Sequence, residues 1–341
     1  MKKLQIAVVM PTGQVRDTFI PPIAAEKLAS LGELTWNPRD RQYTNEELAD
    51  AIKNADVCVT GWGCPQLTYD VIKNARNLRL VAHTGGSVAT LVSKELYEKG
   101  IKIISGNKIY AESVAEGVIA YILTAFRKLP KFINDTVTKG WATEGASYTE
   151  ALLYQPVGLV GFGAVAKYLV PMLKAFHCQI YVYDPHLPDS VFEEYGVARV
   201  SSLDTLFPMV KVLSLHMPLN KNTYQMIDGR LLKLIRDGSL FVNTARGACI
   251  DEAALAAELA KGRFMAILDV YEREPLPMDS GLRGLDNVIL IPHMAGPTVD
   301  RRTDVTLQLA DDVVRCFTGE QMIHEIGYEY AVTMTNEANY K

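Results

Sequence analysis

Short apolar runs alternate along the chain with stretches whose apolar positions recur every three or four residues, the pattern of strands followed by helices. Leu4–Val9 reads as a buried strand and Pro22–Leu31 as a helix; Thr44 with Glu47 makes a capping box that opens a helix running to Ile52. Val57–Thr60 is a strand followed by the loop Gly61-Trp62-Gly63, Leu80–His83 a strand ending at Thr84-Gly85-Gly86-Ser87, and Ile101–Ile104 a further one. Ser113 and Glu116 form a second capping box, and Val114, Val118, Ile122 and Phe126 then recur at helical spacing. Residues 130–154 have no period and read as an irregular excursion at a surface or interface. The pattern restarts with strand Val157–Val160, helix Ala164–Phe176 and strand Ile180–Tyr183, then strands Val210–Leu215, Leu240–Val242, Met265–Leu268 and Val288–Ile291. Helices are expected at Glu252–Ala260 and Thr303–Phe317, before a polar, weakly patterned tail from Gly319. This alternation predicts an α/β protein with parallel sheets.

Composition narrows the class. The 341 residues allow two domains at about 150 residues each. A net charge of −4 leaves no basic footprint for nucleic acid or an anionic membrane surface. The N-terminal apolar run ends at Pro11, too short for a signal-peptide core, and no stretch reads as approaching the ~20 apolar residues of a membrane-crossing helix. The five cysteines are widely spaced and form no C-x-x-C pair. They read as reduced core thiols of a cytoplasmic protein, with no metal site expected.

Gly161-Phe162-Gly163-Ala164-Val165-Ala166 follows a strand and opens a helix, matching G-x-G-x-x-G/A in the context that gives it meaning. Gly161 permits the tight turn, Gly163 lets the backbone approach a pyrophosphate, and Ala166 keeps helix close to strand. The helix N-terminus offers free N–H groups and positive dipole to the phosphates. Asp184, ending the next strand, is placed to hold ribose hydroxyls and would repel a 2′-phosphate, which favours NAD over NADP.

In an open parallel sheet, ligands bind outside the carboxyl ends of the strands. The candidates there are His216-Met217-Pro218, then Asn243-Thr244-Ala245-Arg246-Gly247, Asp269, and Pro292-His293. All should face the crevice holding the nicotinamide end of the cofactor. A carboxylate substrate needs a cation, ideally the planar fork of Arg, and alcohol oxidation needs a base such as His.

With these residues the chain resembles the D-isomer-specific 2-hydroxyacid dehydrogenases. The likeness is strongest over 157–163, over 240–247 with 251–255, and over 268–277 with 291–296, where Arg246, Glu274 in a Glu-Pro-Leu-Pro segment and His293 after a proline occur in family order. The resemblance implies that Arg246 binds the substrate's carboxylate and carbonyl oxygen. His293 would be the acid/base, Glu274 its partner, and Asp269 the holder of the carboxamide. Gly85, Gly86 and Ser87 would cradle the substrate carboxylate, with Trp62 as a pocket wall or a packing residue. His216, Pro218 and Thr223 would line the adenosine side, and Ala295 and Gly296 would join the cofactor-binding residues. The fold implied is a Rossmann cofactor domain (108–297) inserted in a flavodoxin-like substrate domain (1–107 with a returning helix and tail, 298–341), closing over the substrate and forming a homodimer. The Gly-x-Gly-then-Asp-Asn pattern expected near Gly85–Ser87 is absent, which marks a divergent branch. A non-catalytic NAD(H)-sensing protein on the same scaffold is the rival reading.

Overall fold

The computed structural model describes residues 3–141 and 149–336 and divides into two compact units, Met1–Tyr110 with Pro297–Lys341, and Ala111–Gly296. The first unit holds strands β1 (Leu4–Val8), β2 (Gly32–Trp36), β3 (Val57–Thr60), β4 (Leu80–His83) and β5 (Lys102–Ser105) in the order β2-β1-β3-β4-β5, all parallel. Parallel sheets are covered on both faces, so their central strands are apolar throughout rather than alternating; β3 and β4 are buried at every position. Leu48, Ile52, Val71 and Leu96 cover one face, and Phe19, Leu28, Leu309 and Val313 the other. The strand order reverses between β1 and β3, so the Gly61–Gly63 loop leaves the sheet at the topological switch point. The capping box at Thr44 forms, with both of its reciprocal hydrogen bonds in place.

The second unit holds β6 (Pro156–Val160), β7 (Gln179–Tyr183), β8 (Ala198–Arg199), β9 (Val212–Leu215), β10 (Leu240–Asn243), β11 (Met265–Leu268) and β12 (Val288–Leu290), again all parallel, in the order β12-β11-β10-β9-β6-β7-β8. Its switch point lies between β6 and β9. Val157, Leu159, Val182, Val212 and Val242 from the strands meet Ala166, Leu169 and Leu173 of the Ala164–Ala175 helix in the core.

Three expectations require correction. The long helix spans Asn107–Phe126, so Ser113 and Glu116 lie inside it and form no cap. Its start is held instead by the Ser105 hydroxyl, which accepts from the Asn107 N–H at 3.3 Å; the Ser-x-x-Glu spacing is local and recurs inside helices. This helix is also long and apolar enough to cross a membrane by length and composition, although Ala115, Val118, Ile122 and Phe126 are buried in the core of the second unit.

The second correction concerns the 130–154 excursion, which contains a helix over Leu129–Lys139; residues 142–148 lie outside the described part of the chain. Lys128 in the left-handed region and Pro130 mark its start and interrupt the period that would have revealed it. Finally, the last helix spans Val299–Thr318, and the tail beyond it is ordered by burial of Met322, His324, Ile326, Ala331 and Met334. A buried carboxylate, Asp312, holds that tail. It accepts from the Ile323 N–H at 3.0 Å, the His324 N–H at 2.7 Å, His324 Nδ1 at 2.9 Å and Arg315 Nη1 at 2.7 Å.

Candidate active site

In the second unit the fingerprint turn sits at the switch point. Gly161 has φ +88°, and a Cβ there would lie 2.8 Å from the Met217 nitrogen beyond β9, so the turn and the neighbouring strand end both require glycine. The Phe162 side chain belongs to the core, stacked on Phe192 with ring centroids 5.7 Å apart; only its backbone faces the turn. At Gly163 a Cβ would meet nothing within 4 Å. The backbone therefore borders open space at the N-terminus of a twelve-residue helix, whose first N–H groups, from Ala164 and Val165 onward, lack intrahelical partners. Asp184 orders this turn: its Oδ2 accepts from the Phe162 N–H and its Oδ1 from the His186 N–H, each at 2.9 Å.

Two further observations mark a binding crevice. His216 Nε2, after β9, and Thr244 Oγ1, after β10, are buried with no hydrogen-bond partner among the described residues. Such atoms are costly unless a ligand or water satisfies them. Burial pushes the His216 pKa down to about 3, so its ring is neutral. Turn, helix end and orphan atoms fit a dinucleotide. Thr223 is turned inward: its hydroxyl donates to the Pro218 carbonyl at 2.6 Å and closes the 218–223 loop.

The strand ends of β10, β11 and β12 bring the predicted acid/base group together. His293 Nδ1 and Glu274 Oε2 are 2.7 Å apart, and Glu274 Oε1 accepts from the Tyr271 N–H at 3.1 Å. The hydrogen bond to Glu274 holds the His293 pKa above its ordinary value, against the opposing effects of burial and of the Arg246 charge. Burial alone would raise Glu274, but the hydrogen bonds from His293 and Tyr271 outweigh it and the carboxyl lies below its usual range. Both shifts favour the ion pair, an imidazolium beside a carboxylate, over the neutral forms.

His293 adopts φ +52°, a left-handed conformation that a histidine holds only when its surroundings enforce it. Asp269, 1% exposed, supplies that enforcement: its Oδ1 accepts from the Met294 N–H at 2.7 Å and its Oδ2 from the Ala295 N–H at 3.0 Å. Tyr121, on the long helix, donates to Asp269 Oδ1 at 2.9 Å. Ala295 packs on Gly117, where a Cβ would lie 3.3 Å from its carbonyl oxygen; Gly296 follows at the end of this unit.

Arg246 leaves β10 with Nη1 donating to the Ala245 carbonyl at 2.6 Å. The next residue, Gly247, is pressed onto the loop after β11: a Cβ there would lie 1.8 Å from the Tyr271 carbonyl carbon. Tyr121, Tyr271 and Gly247 were not among the predicted site residues. Gly247 stood in the motif beside Arg246, whereas Tyr121 reads in sequence as one more apolar helix position.

In the first unit, Gly85 is sterically required, since a Cβ would lie 2.3 Å from His83 Nε2, and Gly86 lies against the Tyr110 ring. Ser87 Oγ donates to the Thr335 carbonyl at 2.8 Å. The N–H groups of Gly85, Gly86 and Ser87 donate to no acceptor among the described residues. Trp62 makes edge-on contacts with Phe19 (5.2 Å) and Tyr110 (6.2 Å).

Two doubly wound sheets, with a glycine turn and orphaned polar atoms at one switch point, define a dinucleotide-binding α/β protein. The family profile described as "D-isomer specific 2-hydroxyacid dehydrogenase, NAD binding domain" matches residues 119–295. A D-3-phosphoglycerate dehydrogenase of Methanocaldococcus jannaschii is 33% identical over 278 residues, 81% of this chain but 52% of that protein. The chain therefore spans about half the length of that relative. A hydroxypyruvate reductase of Thermotoga maritima is 32% identical over 83% of this chain and 93% of its own. Among solved structures, a phosphoglycerate oxidoreductase from Rhizobium etli superposes with a TM-score of 0.79 at 23% identity, covering 95% of this chain and 98% of that one. The chain belongs to the D-isomer-specific 2-hydroxyacid dehydrogenase family, and it carries that family's nicotinamide-cofactor-binding domain.

Proposed function

We propose that the protein is an NAD-dependent dehydrogenase that interconverts a small D-2-hydroxy acid and its 2-keto acid. The observation that carries this reading is the 2.7 Å His293–Glu274 pair on a loop clamped by Asp269. Glu274 occupies Nδ1, which leaves Nε2 as the nitrogen for proton transfer. In keto reduction His293 gives its proton to the carbonyl oxygen as hydride reaches the carbonyl carbon; in oxidation it takes the hydroxyl proton. Bound nicotinamide supplies or receives the hydride. Arg246 anchors the substrate carboxylate and stabilises charge developing on the oxygen. In the first unit, which acts as the substrate domain, the free N–H groups of Gly85, Gly86 and Ser87 are suited to a carboxylate.

Gly161, Gly163, Ala164 and Val165 hold the pyrophosphate, in a turn that Phe162 anchors through its N–H bond to Asp184. His216, Pro218 and Thr223 line the adenosine side. Thr244, Ala245, Ala295 and Gly296 border the nicotinamide. Asp184 at the end of β7 selects NAD by repelling a 2′-phosphate. We also propose a homodimer, supported by Leu129, Ile133 and Val137, which recur every fourth residue on one helix and are all exposed. A cytoplasmic setting accords with the free, partly or fully buried cysteines.

The test is NADH and NADPH oxidation at 340 nm over a panel of 2-keto acids, with wild type beside His293→Ala. NADH-dependent turnover lost in the variant supports the assignment. NADH binding without turnover on any member would replace it with a cofactor-sensing role.

A further inference from the structure

Among its described residues the first unit carries a cation without a counter-ion. Arg302, on the Val299–Thr318 helix, lies over two aromatic faces, with its guanidinium carbon 5.5 Å from the ring centroids of both Phe19 and Trp62. Its Nη1 donates to Thr18 Oγ1 at 3.2 Å. No described carboxylate pairs with it. Among the described residues of this unit, Arg302 Nε and the Tyr110 hydroxyl are the buried side-chain polar atoms without a hydrogen-bond partner. Burial drives the Tyr110 phenol far above its ordinary pKa, opposed in part by the Arg302 charge and by the neighbouring Trp62 side chain, so it remains a neutral donor.

These groups occupy a particular place in the fold. Trp62 leaves the sheet at the β1/β3 switch point, where an open parallel sheet binds its ligands. The Tyr110 ring lies 3.4 Å from where a Gly86 Cβ would stand, so it adjoins the loop with the free N–H groups. Trp62, although clasped by three neighbours, remains 44% exposed. A guanidinium stacked on aromatic rings is pre-organised and incompletely hydrated, and it gains most from a planar or tetrahedral oxyanion.

We propose that Arg302, with Tyr110 and Trp62, is a specificity-determining site for a second oxyanion, a carboxylate or a phosphate, at the far end of the 2-keto acid. This rests on the dehydrogenase reading above and on placement of the substrate's own carboxylate at Gly85–Ser87. The preferred substrate is then a dianion or trianion, and a simple aliphatic 2-keto acid leaves Arg302 unmatched.

The experiment compares kcat/KM, with NADH, for matched pairs: 2-oxoglutarate against 2-oxovalerate, oxaloacetate against 2-oxobutyrate, and phosphohydroxypyruvate against hydroxypyruvate. Wild type should prefer the doubly charged member of at least one pair by roughly 10- to 100-fold, the range for a charged hydrogen bond. The winning pair tells carboxylate from phosphate. In Arg302→Met that ratio should collapse towards one, chiefly through KM, and Arg302→Lys should retain an intermediate preference. Wild-type turnover without preference in any pair overturns the proposal even if neither variant folds, as does a preference that Arg302→Met leaves intact. Absence of turnover on every substrate overturns the dehydrogenase reading and this proposal with it.

Discussion

Gly247→Ala probes how the second unit holds Arg246 and Glu274 in register. The added Cβ would stand 1.8 Å from the Tyr271 carbonyl carbon, 2.1 Å from its oxygen and 2.2 Å from the Glu272 nitrogen. Ordinary contact begins at 3.4 Å, so the two backbones must part by about 1.6 Å. The Tyr271 side is poorly able to yield. Its hydroxyl is fixed between the Leu268 and Ile291 carbonyls at 3.0 and 2.8 Å, its N–H donates to Glu274 at 3.1 Å, and the Glu272 N–H donates to Glu252 at 2.9 Å. The strain falls on the Arg246 segment or on the loop bearing Glu274. Overpacking of this kind costs about 1–3 kcal/mol, and a misplacement of about 1 Å in a reacting constellation costs on the order of a hundredfold in rate. Urea unfolding would read the first, and kcat/KM on the best keto acid the second. A variant with kcat/KM within about threefold of wild type and an unchanged midpoint would refute the claim that this close approach sets the site.

Three other outcomes are expected. Glu274→Gln removes the main influence raising the His293 pKa; in the proposed reduction the ring gives up its proton, so the rate should fall as pH rises through that value, and in the variant this alkaline limb should move to lower pH, read from kcat/KM profiles. Val137→Asp places a charge on a stripe whose most exposed members, Ile133 and Val137, are 62% and 80% exposed, and light scattering after size exclusion should show a dimer for wild type and a monomer for the variant. Asp312→Asn should cost about 3–5 kcal/mol, the usual penalty for breaking a buried pair. Its carboxyl lies well below the ordinary range because the bonds from His324, Ile323 and Arg315 outweigh burial. That stabilisation is complete above the unfolded pKa of about 3.9 and is lost as pH falls through the folded value, so the variant's stability should depend less on pH in that range.

Strands were the most legible elements, because a strand buried on both faces is a short apolar run with nothing polar to confuse it; Val57–Thr60, Leu80–His83 and Met265–Leu268 read in sequence as they stand in the structure. Helix starts were less legible. The Ser113–Glu116 spacing mimics a cap, whereas the real start lies at the Ser105 hydroxyl, eight residues earlier. The tail was illegible for a different reason: it is held by scattered buried residues and by one carboxylate, Asp312, and the residues Asp312 binds carry no local pattern. The β2 strand, Gly32–Trp36, has buried and exposed positions mixed at a sheet edge and so lacks the apolar run.

Asp269 shows where residue roles stop being readable from motif position. The resemblance gives it the carboxamide of the cofactor, yet its two oxygens already accept three hydrogen bonds, from Tyr121, Met294 N–H and Ala295 N–H. A carboxylate has about four acceptor positions, which leaves room for one more donor at most. Its larger task is therefore to fix the left-handed turn at His293, and the phenol of Tyr121 is what a leucine or phenylalanine at that helix position could not supply. A residue that recognises a ligand need only face it. Asp269 must also be buried and bonded to the loop after β12 and to Tyr121, and those requirements connect the long helix, β11 and His293 into one constraint. The precision of the His293–Glu274 pair then comes from a neighbour that touches neither side chain.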